Sequence, residues 1–361
     1  YFPYFGTKAD YFTGSSQSPR DIITGDFNLD GVLDLATLNS QFGNISVALG
    51  VGDGTFNTPV NHSISGASNT FNMDMGDFNG DGFIDIVASG SNPSPALHIM
   101  LGDGIGGFSS PTTSSFALNS GAGDIAVADF NNDGFLDVVA SYIVTQTSVS
   151  VLLGTGTGEF ETAVDYSIGV SEHAVATGDF NNDGLADIAV LDDTNHDLNI
   201  LLNNGSGGFN APVNYSCSFG SNPLDNIVVG DFNEDGNLDI IGARIFTLEI
   251  FTGAGDGSFA NSTYNFPDSF QPRYFDVGDF NGDGYLDIAA SRADASTEIR
   301  IYTGDGAMNF SLDATVTADD QAERTTNGDF NGDGRMDLAV AAGGTAENIN
   351  VFISEPVPAP S

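Results

Sequence analysis

The chain has 361 residues and a formal charge of −41, from 49 acidic and 8 basic side chains. That balance argues against nucleic acid as a partner and against direct insertion at an anionic membrane. A hydrophobic share of 40% with acids spaced along the chain excludes an acidic disordered tail, and the single cysteine, Cys217, excludes an internal disulfide framework.

From the N-terminus, residues 1–16 read as one polar strand opened by Phe5, beginning without a charged and apolar leader, as in a mature product or a fragment. Then the string DFNxDGxxD starts, and it recurs seven times, with first aspartates at Asp26, Asp77, Asp129, Asp179, Asp231, Asp279 and Asp329. The spacings of 48 to 52 residues fit a four-stranded propeller blade and are too long for most helical solenoids. Blades are expected to begin near residues 20, 71, 123, 173, 225, 273 and 323.

Every unit repeats one grammar. A short segment such as DIAVADF leads into the motif, an alternating stretch such as LDVVAS follows, and a variable gap precedes a β-branched run such as VSVLLG. A glycine turn and a phenylalanine then open a polar strand. Alternation and turn residues give four strands, A to D, with the motif joining A to B and the glycine turn joining C to D. The last unit stops after its strand C, NINVFIS, and the first residues supply a strand D without a blade of its own. The expected fold is therefore an all-β, seven-bladed β-propeller over residues 1–354, in which residues 1–16 complete the last blade and leave no open edge. Residues 355–361 are proline-rich and read as a tail or linker.

These seven DFNxDGxxD units resemble the FG-GAP/VCBS repeats of integrin α-subunit propellers and of secreted propeller proteins, some of them lectins. The resemblance covers nearly the whole chain. It departs from the integrins in carrying the cation loop in all seven blades, so it implies the scaffold more firmly than integrin biology.

The motif has the chemistry of a calcium loop. Calcium takes six to eight oxygen ligands. In the first loop Asp26, Asn28, Asp30 and Asp34 offer side chains at positions 1, 3, 5 and 9, and Val32 its carbonyl at position 7. The same five positions are Asp77, Asn79, Asp81, Phe83 and Asp85, then Asp129, Asn131, Asp133, Phe135 and Asp137, then Asp179, Asn181, Asp183, Leu185 and Asp187. They continue as Asp231, Asn233, Asp235, Asn237 and Asp239, as Asp279, Asn281, Asp283, Tyr285 and Asp287, and as Asp329, Asn331, Asp333, Arg335 and Asp337. The expected cofactor is Ca2+, about seven structural ions. Loops of this kind typically bind near 10⁻⁴ to 10⁻³ M, too weakly to fill at cytosolic calcium, which places the chain outside the cytoplasm, secreted or at a cell surface.

The B–C and D–A loops carry the variation between repeats and should emerge together on the face opposite the motif loops, where binding usually resides. Five of the eight basic residues fall there: Arg20, Arg244, Arg273, Arg292 and Arg324. With Phe246, Phe270 and Tyr274 they form an expected basic and aromatic arc able to hold carboxylate or sulfate groups. The bland alternative pairs each arginine with an acid such as Asp294, Asp320 or Glu323.

Catalytic signals are poor: His62, His98, His173 and His196 form no HExxH, and no GxSxG or phosphate loop is present. The expected function is an extracellular binding or adhesion module for a glycan or protein ligand, with anionic ligands among the candidates, and not an enzyme. A structural subunit of a surface layer or fibre, self-associating through rims or tails, is the second reading, and a polysaccharide hydrolase or lyase the third. Six NxS/T sequons, at Asn44, Asn61, Asn204, Asn214, Asn261 and Asn309, matter only in a eukaryotic secretory route.

Overall fold

A computed structural model describes residues 4–14, 18–64, 68–92, 96–115, 122–142, 148–168, 174–192, 197–217, 226–244, 246–266, 270–292, 296–344 and 347–355. Seven four-stranded antiparallel sheets stand as the blades of a propeller, and the described residues contain no helix. In blade 3 the strands are Ala122–Ala128, Asp137–Tyr142, Ser148–Leu152 and Val164–Ser167, paired in that order. Strand Ala9–Phe12 is hydrogen-bonded beside Asn348–Phe352 as the outer member of the sheet that holds Ala322–Gly328 and Asp337–Ala342. Tyr4–Phe5 pairs with Ser354–Glu355 next to it.

Burial follows position in the blade. Strand D is largely exposed, as in Val164–Ser167, because only its inner edge has a neighbour. Strand B is buried at every residue in Asp34–Asn39, Asp137–Tyr142, Asp187–Asp192 and Asp337–Ala342. The alternation read from stretches such as LDVVAS thus does not mark one wet face: a central strand between two neighbouring blades has apolar contacts on both sides.

Motif phenylalanines form the joints. Phe27, Phe78, Phe130, Phe180, Phe232, Phe280 and Phe330 are buried, and six of them meet the phenylalanine that opens strand D of the next blade edge-on. Centroid separations run from 5.3 Å for Phe130–Phe209 to 6.2 Å for Phe232–Phe310. Each such pair contributes about 0.5–1.5 kcal/mol beyond the area it buries. Phe330 pairs with Phe56, and Ile22, Leu35 and Ala48 of blade 1 share an apolar cluster with Ala339, Ile349 and Val351 of blade 7.

Candidate metal loops and the channel mouth

The seven motif loops adopt one hydrogen-bond scheme. At position 1, the Asp26 carboxylate accepts from the backbone N–H of Asp30 at 3.1 Å and of Gly31 at 2.9 Å. At position 5, Asp30 accepts from Val32 N–H at 2.9 Å, and at position 3 the Asn28 carbonyl accepts from Asp30 N–H at 3.0 Å. The same four bonds recur in the other loops, for example around Asp179, Asn181 and Asp183. The chain reverses through two left-handed residues. Gly31 at position 6 has φ +84°, and Leu29 at position 4 has φ +59°, a place filled elsewhere by Gly80, Asn132 or Gly282.

Position 9 has a role that its place in the motif did not reveal. Asp34 is buried, and its two oxygens accept from Phe27 N–H at 2.9 Å and from Gly50 N–H at 2.8 Å, bolting the motif loop to the glycine turn of its own blade. Asp187 does the same with Phe180 and Asn203, and Asp337 with Phe330 and Ser354. Burial, opposed by these hydrogen bonds and reinforced by the charges at positions 1 and 5, pushes the position-9 carboxyls up to about 6, and that of Asp287 to about 7. Position 7 is also less free than a bare carbonyl donor would be. Side chains of Phe83, Phe135 and Tyr285 lie where a Cβ on Gly104, Gly156 or Gly306 would have to go, which is why that turn is built from glycine.

Among the described residues no three His, Cys, Asp or Glu side chains stand as a finished metal cluster; the loop carboxylates are turned toward backbone N–H groups. The donor set nonetheless suits a hard cation. It is all oxygen, and the acids of a loop are close enough to repel one another.

Glycine turns and motif loops share a face, as expected. Four of the turns also reach the preceding blade: Gly54, Gly106, Gly158 and Gly257 donate N–H to the carbonyls of Phe330, Phe27, Phe78 and Phe180 at 3.0 to 3.2 Å. In blade 4 the Asn203 side-chain amide takes this duty, donating to Phe130 O at 2.7 Å.

On the opposite face the first residues of the inner strands A ring the mouth of the central channel. Five residues before each motif aspartate stand Asp21, Asn72, Asp124, Ala174, Asn226, Tyr274 and Arg324. The register of strand A against strand B slips at this point in blades 1, 2, 3, 6 and 7, a bulge that re-aims the side chain. Asp21 accepts from Met73 N–H at 2.8 Å, Asp124 from Val175 N–H at 2.9 Å, and Asn226 from Phe275 N–H at 3.1 Å, so each ties its blade to the next. Arg324 of blade 7 crosses the channel: its guanidinium lies 3.7 Å from Asp21 and 3.3 Å from Asp124. Burial opposes that charge, but the two carboxylates outweigh it and hold the guanidinium charged.

The expected arc is therefore split. Arg273 and Arg324 flank the Tyr274 ring at 4.9 and 5.0 Å, and Arg20 sits 4.9 Å over Phe71. All three guanidiniums lie close enough to act on the Tyr274 phenol, where burial is the largest influence and raises its pKa. Arg273 is also 3.7 Å from Glu323, the partner foreseen in the bland alternative, while Arg20 makes no ion pair among the described residues. Arg292 stands apart, 3.2 Å from Glu298, which also binds Arg300 at 2.7 Å. Phe270 must be withdrawn from the binding face. It is 1% exposed, packed on Phe266 and Tyr302 with the Arg300 guanidinium 4.5 Å over its ring, because the residues after it turn inward to start strand A. Phe246 is exposed at the B–C turn of blade 5 with φ +65°. The Arg244 side chain, Asp294, His173 and His196 lie outside what is described.

No curated protein matches the chain by sequence. Among solved structures it is similar to the BP39L lectin from Burkholderia pseudomallei, at 16% identity over 95% of this chain and 97% of that one, with a TM-score of 0.70. It is similar to an Agrocybe aegerita lectin that recognises non-reducing terminal N-acetylglucosamine, at 19% identity over 84% and 81%, TM-score 0.60. BBS1N, solved in complex with ARL6DN, is similar at 11% identity over 99% and 98%, TM-score 0.66. At these identities the likeness concerns the fold. Profiles of the FG-GAP-like repeat match residues 26–88, 77–140, 141–190, 179–242 and 247–290, and the FG-GAP repeat matches 323–349. Matched through most of its length, the chain belongs to the FG-GAP repeat family.

Proposed function

We propose that this FG-GAP propeller is an extracellular, calcium-stabilised binding module whose channel mouth, on the B–C and D–A loop face, takes an anionic group of a glycan or protein ligand. The observation that carries the reading is the gathering of Arg20, Arg273 and Arg324 around Tyr274 on a protein of net charge −41. On so acidic a surface a half-buried guanidinium that makes no ion pair among the described residues, Arg20, is the natural first contact for a carboxylate or sulfate. Phe71 and Tyr274 hold the planes of these guanidiniums by cation–π contact, which limits the entropy lost when an anion docks. Two lectins among the structural neighbours support a ligand-binding role on this scaffold.

Calcium in the motif loops would be held by positions 1, 3, 5 and 9 with the carbonyl at position 7, and its charge would relieve the repulsion among three acids per loop. The loops would then fix the hub from which the inner strands present the mouth. Binding of uronate-containing and sulfated glycans, measured by array and calorimetry in calcium, should fall sharply in Arg20→Ala and in Arg273→Ala. Retention by both variants, or binding restricted to neutral glycans, would refute the mouth as the site.

A further inference from the structure

At five of the seven junctions the outer strand reaches the next blade through one aromatic ring, and in blades 2 and 6 Ser114 and Val316 hold that register position instead. At four junctions it is a tyrosine: Tyr11, Tyr166, Tyr215 and Tyr264 lie edge-on to Phe56, Phe209, Phe259 and Phe310, with centroids 5.3 to 5.8 Å apart. Their hydroxyls end on the glycine turn or first strand-D residue of that next blade. Tyr11 Oη accepts from Phe56 N–H at 3.0 Å, Tyr215 Oη donates to Gly257 O at 3.3 Å, and Tyr264 Oη donates to Phe310 O at 2.5 Å. Tyr166 Oη lies 3.2 Å from where a Cβ on Gly208 would stand.

Between blades 1 and 2 the same place is taken by His62, whose ring is edge-on to Phe108 at 5.5 Å. The ring contact is kept and the phenol tip is missing. A cavity of about 270 Å³ opens there, lined by Val47, Val60, Ile105, Asp103, Gly106 and His62. Gly106 occupies the turn position that Gly257, bonded by Tyr215, holds in blade 5.

We propose that this cavity is a receptor for a phenol ring supplied from outside the chain. Its volume lies just under the roughly 300 Å³ at which small-molecule pockets begin, so it suits a single ring. Val60 and Ile105 are 59% and 77% exposed, apolar surface that an inserted ring would cover. Polar capacity comes from Asp103, from Asn57 and Thr58 in the wall, and from His62 Nε2, which is buried with no hydrogen-bond partner among the described residues. Asp103 Oδ1 accepts from Ile105 N–H at 3.0 Å and Gly107 N–H at 2.8 Å, and Oδ2 is left to accept from a hydroxyl. A pyranose carries hydroxyls around its whole rim, and the valine and isoleucine walls would strand several of them without partners. A para-substituted phenol matches the apolar walls and has one hydroxyl for Asp103 or His62 Nε2, and is the group that four other junctions supply from the chain itself. The site lies on the outer rim beside a C–D turn, away from the channel mouth, and stands or falls independently of it.

A tyrosine side chain of a partner protein and a free small phenol share this chemistry. Titration of the full chain with p-cresol and with N-acetyl-tyrosinamide, followed by NMR, separates them: binding of both indicates a peptide tyrosine, binding of p-cresol alone a small phenol. Saturable p-cresol binding is expected in the wild type. It should weaken about tenfold or more in His62→Tyr, which restores the residue found at the other junctions and fills the cavity, and should be unchanged in Arg273→Ala. Ile105→Ser, at an exposed turn, should also weaken it and guards against a folding defect in the first variant. The proposal is overturned by absence of saturable p-cresol binding, by wild-type affinity in both cavity variants, or by methyl pyranosides binding more tightly than p-cresol.

Discussion

The two faces of the propeller obey different rules. On the motif-loop face, seven blades repeat the same hydrogen bonds with nearly the same lengths, from Asp26 to Asp329. At the channel mouth one register position holds Asp21, Asn72, Asp124, Ala174, Asn226, Tyr274 and Arg324, seven places with five kinds of side chain. Repetition goes with a duty each blade must perform for itself. Divergence goes with a site assembled once from all the blades.

The contrast can be broken most forcefully by removing metal. With three acids in each of seven loops, a chelator should lower the melting temperature by about 10 °C or more and calcium should restore it; an unchanged melt would show that the repeated face needs no ion. Within one loop, Asp187→Ala strands the N–H groups of Phe180 and Asn203 and should cost about 2–5 kcal/mol in chemical denaturation, with or without metal. Asp183→Ala, at an exposed position, should cost under about 1 kcal/mol in chelator and much more in calcium. Equal losses for the two in chelator would erase the distinction between clamp and ligand.

At the mouth, Arg324→Met leaves Asp21 and Asp124 buried without a counter-charge and should cost about 3 kcal/mol. Adding Asp124→Asn should recover part of that loss if the pair acts as a unit. Acid response sharpens the comparison further. Burial raises Asp74 and Asp276 on the inner strands to about 7, and the position-9 carboxyls to about 6 or 7. These groups take up protons on folding. Their contribution is fully present below the unfolded value of about 4 and is lost as pH rises through about 6 to 7. Chelated protein should therefore melt higher near pH 5 than near pH 7.5, whereas calcium, which needs ionised loops, should reverse the order. The smallest effect concerns Leu29, 54% exposed and left-handed at φ +59°. Leu29→Asn, the residue blades 3 and 4 use there, should stabilise by up to about 1 kcal/mol.

Much of the motif-loop face was readable because its information is local. A turn built from Asp, Asn and Gly within nine residues declares its geometry, and the period of the phenylalanines declares the joints. The clamp at position 9 was hidden, since its second partner, such as Gly50 for Asp34, lies sixteen residues away across a hairpin. The mouth was less legible still. Whether Arg324 meets Asp124 depends on which strands face one another across the channel and on bulges that rotate single residues, neither of which is a property of a segment. Phe270 and Tyr274 looked alike in a variable loop, and both are buried, yet one is packed beside Tyr302 and the other between two arginines. His62 reads as an unremarkable strand residue until its place is compared with Tyr166 and Tyr215 in the assembled rim.

The bonds from the glycine turns to the loop carbonyl of the blade before run in one sense round the molecule, from Gly106 to Phe27, from Gly158 to Phe78, from Gly257 to Phe180. Blades 1 to 5 thus lean on their predecessors through a contact of this kind. A lesion in the blade 4 loop should loosen the Gly257 amide, seen as faster deuterium uptake, before it disturbs the turn of blade 3, giving the ring a downstream direction for the spread of damage.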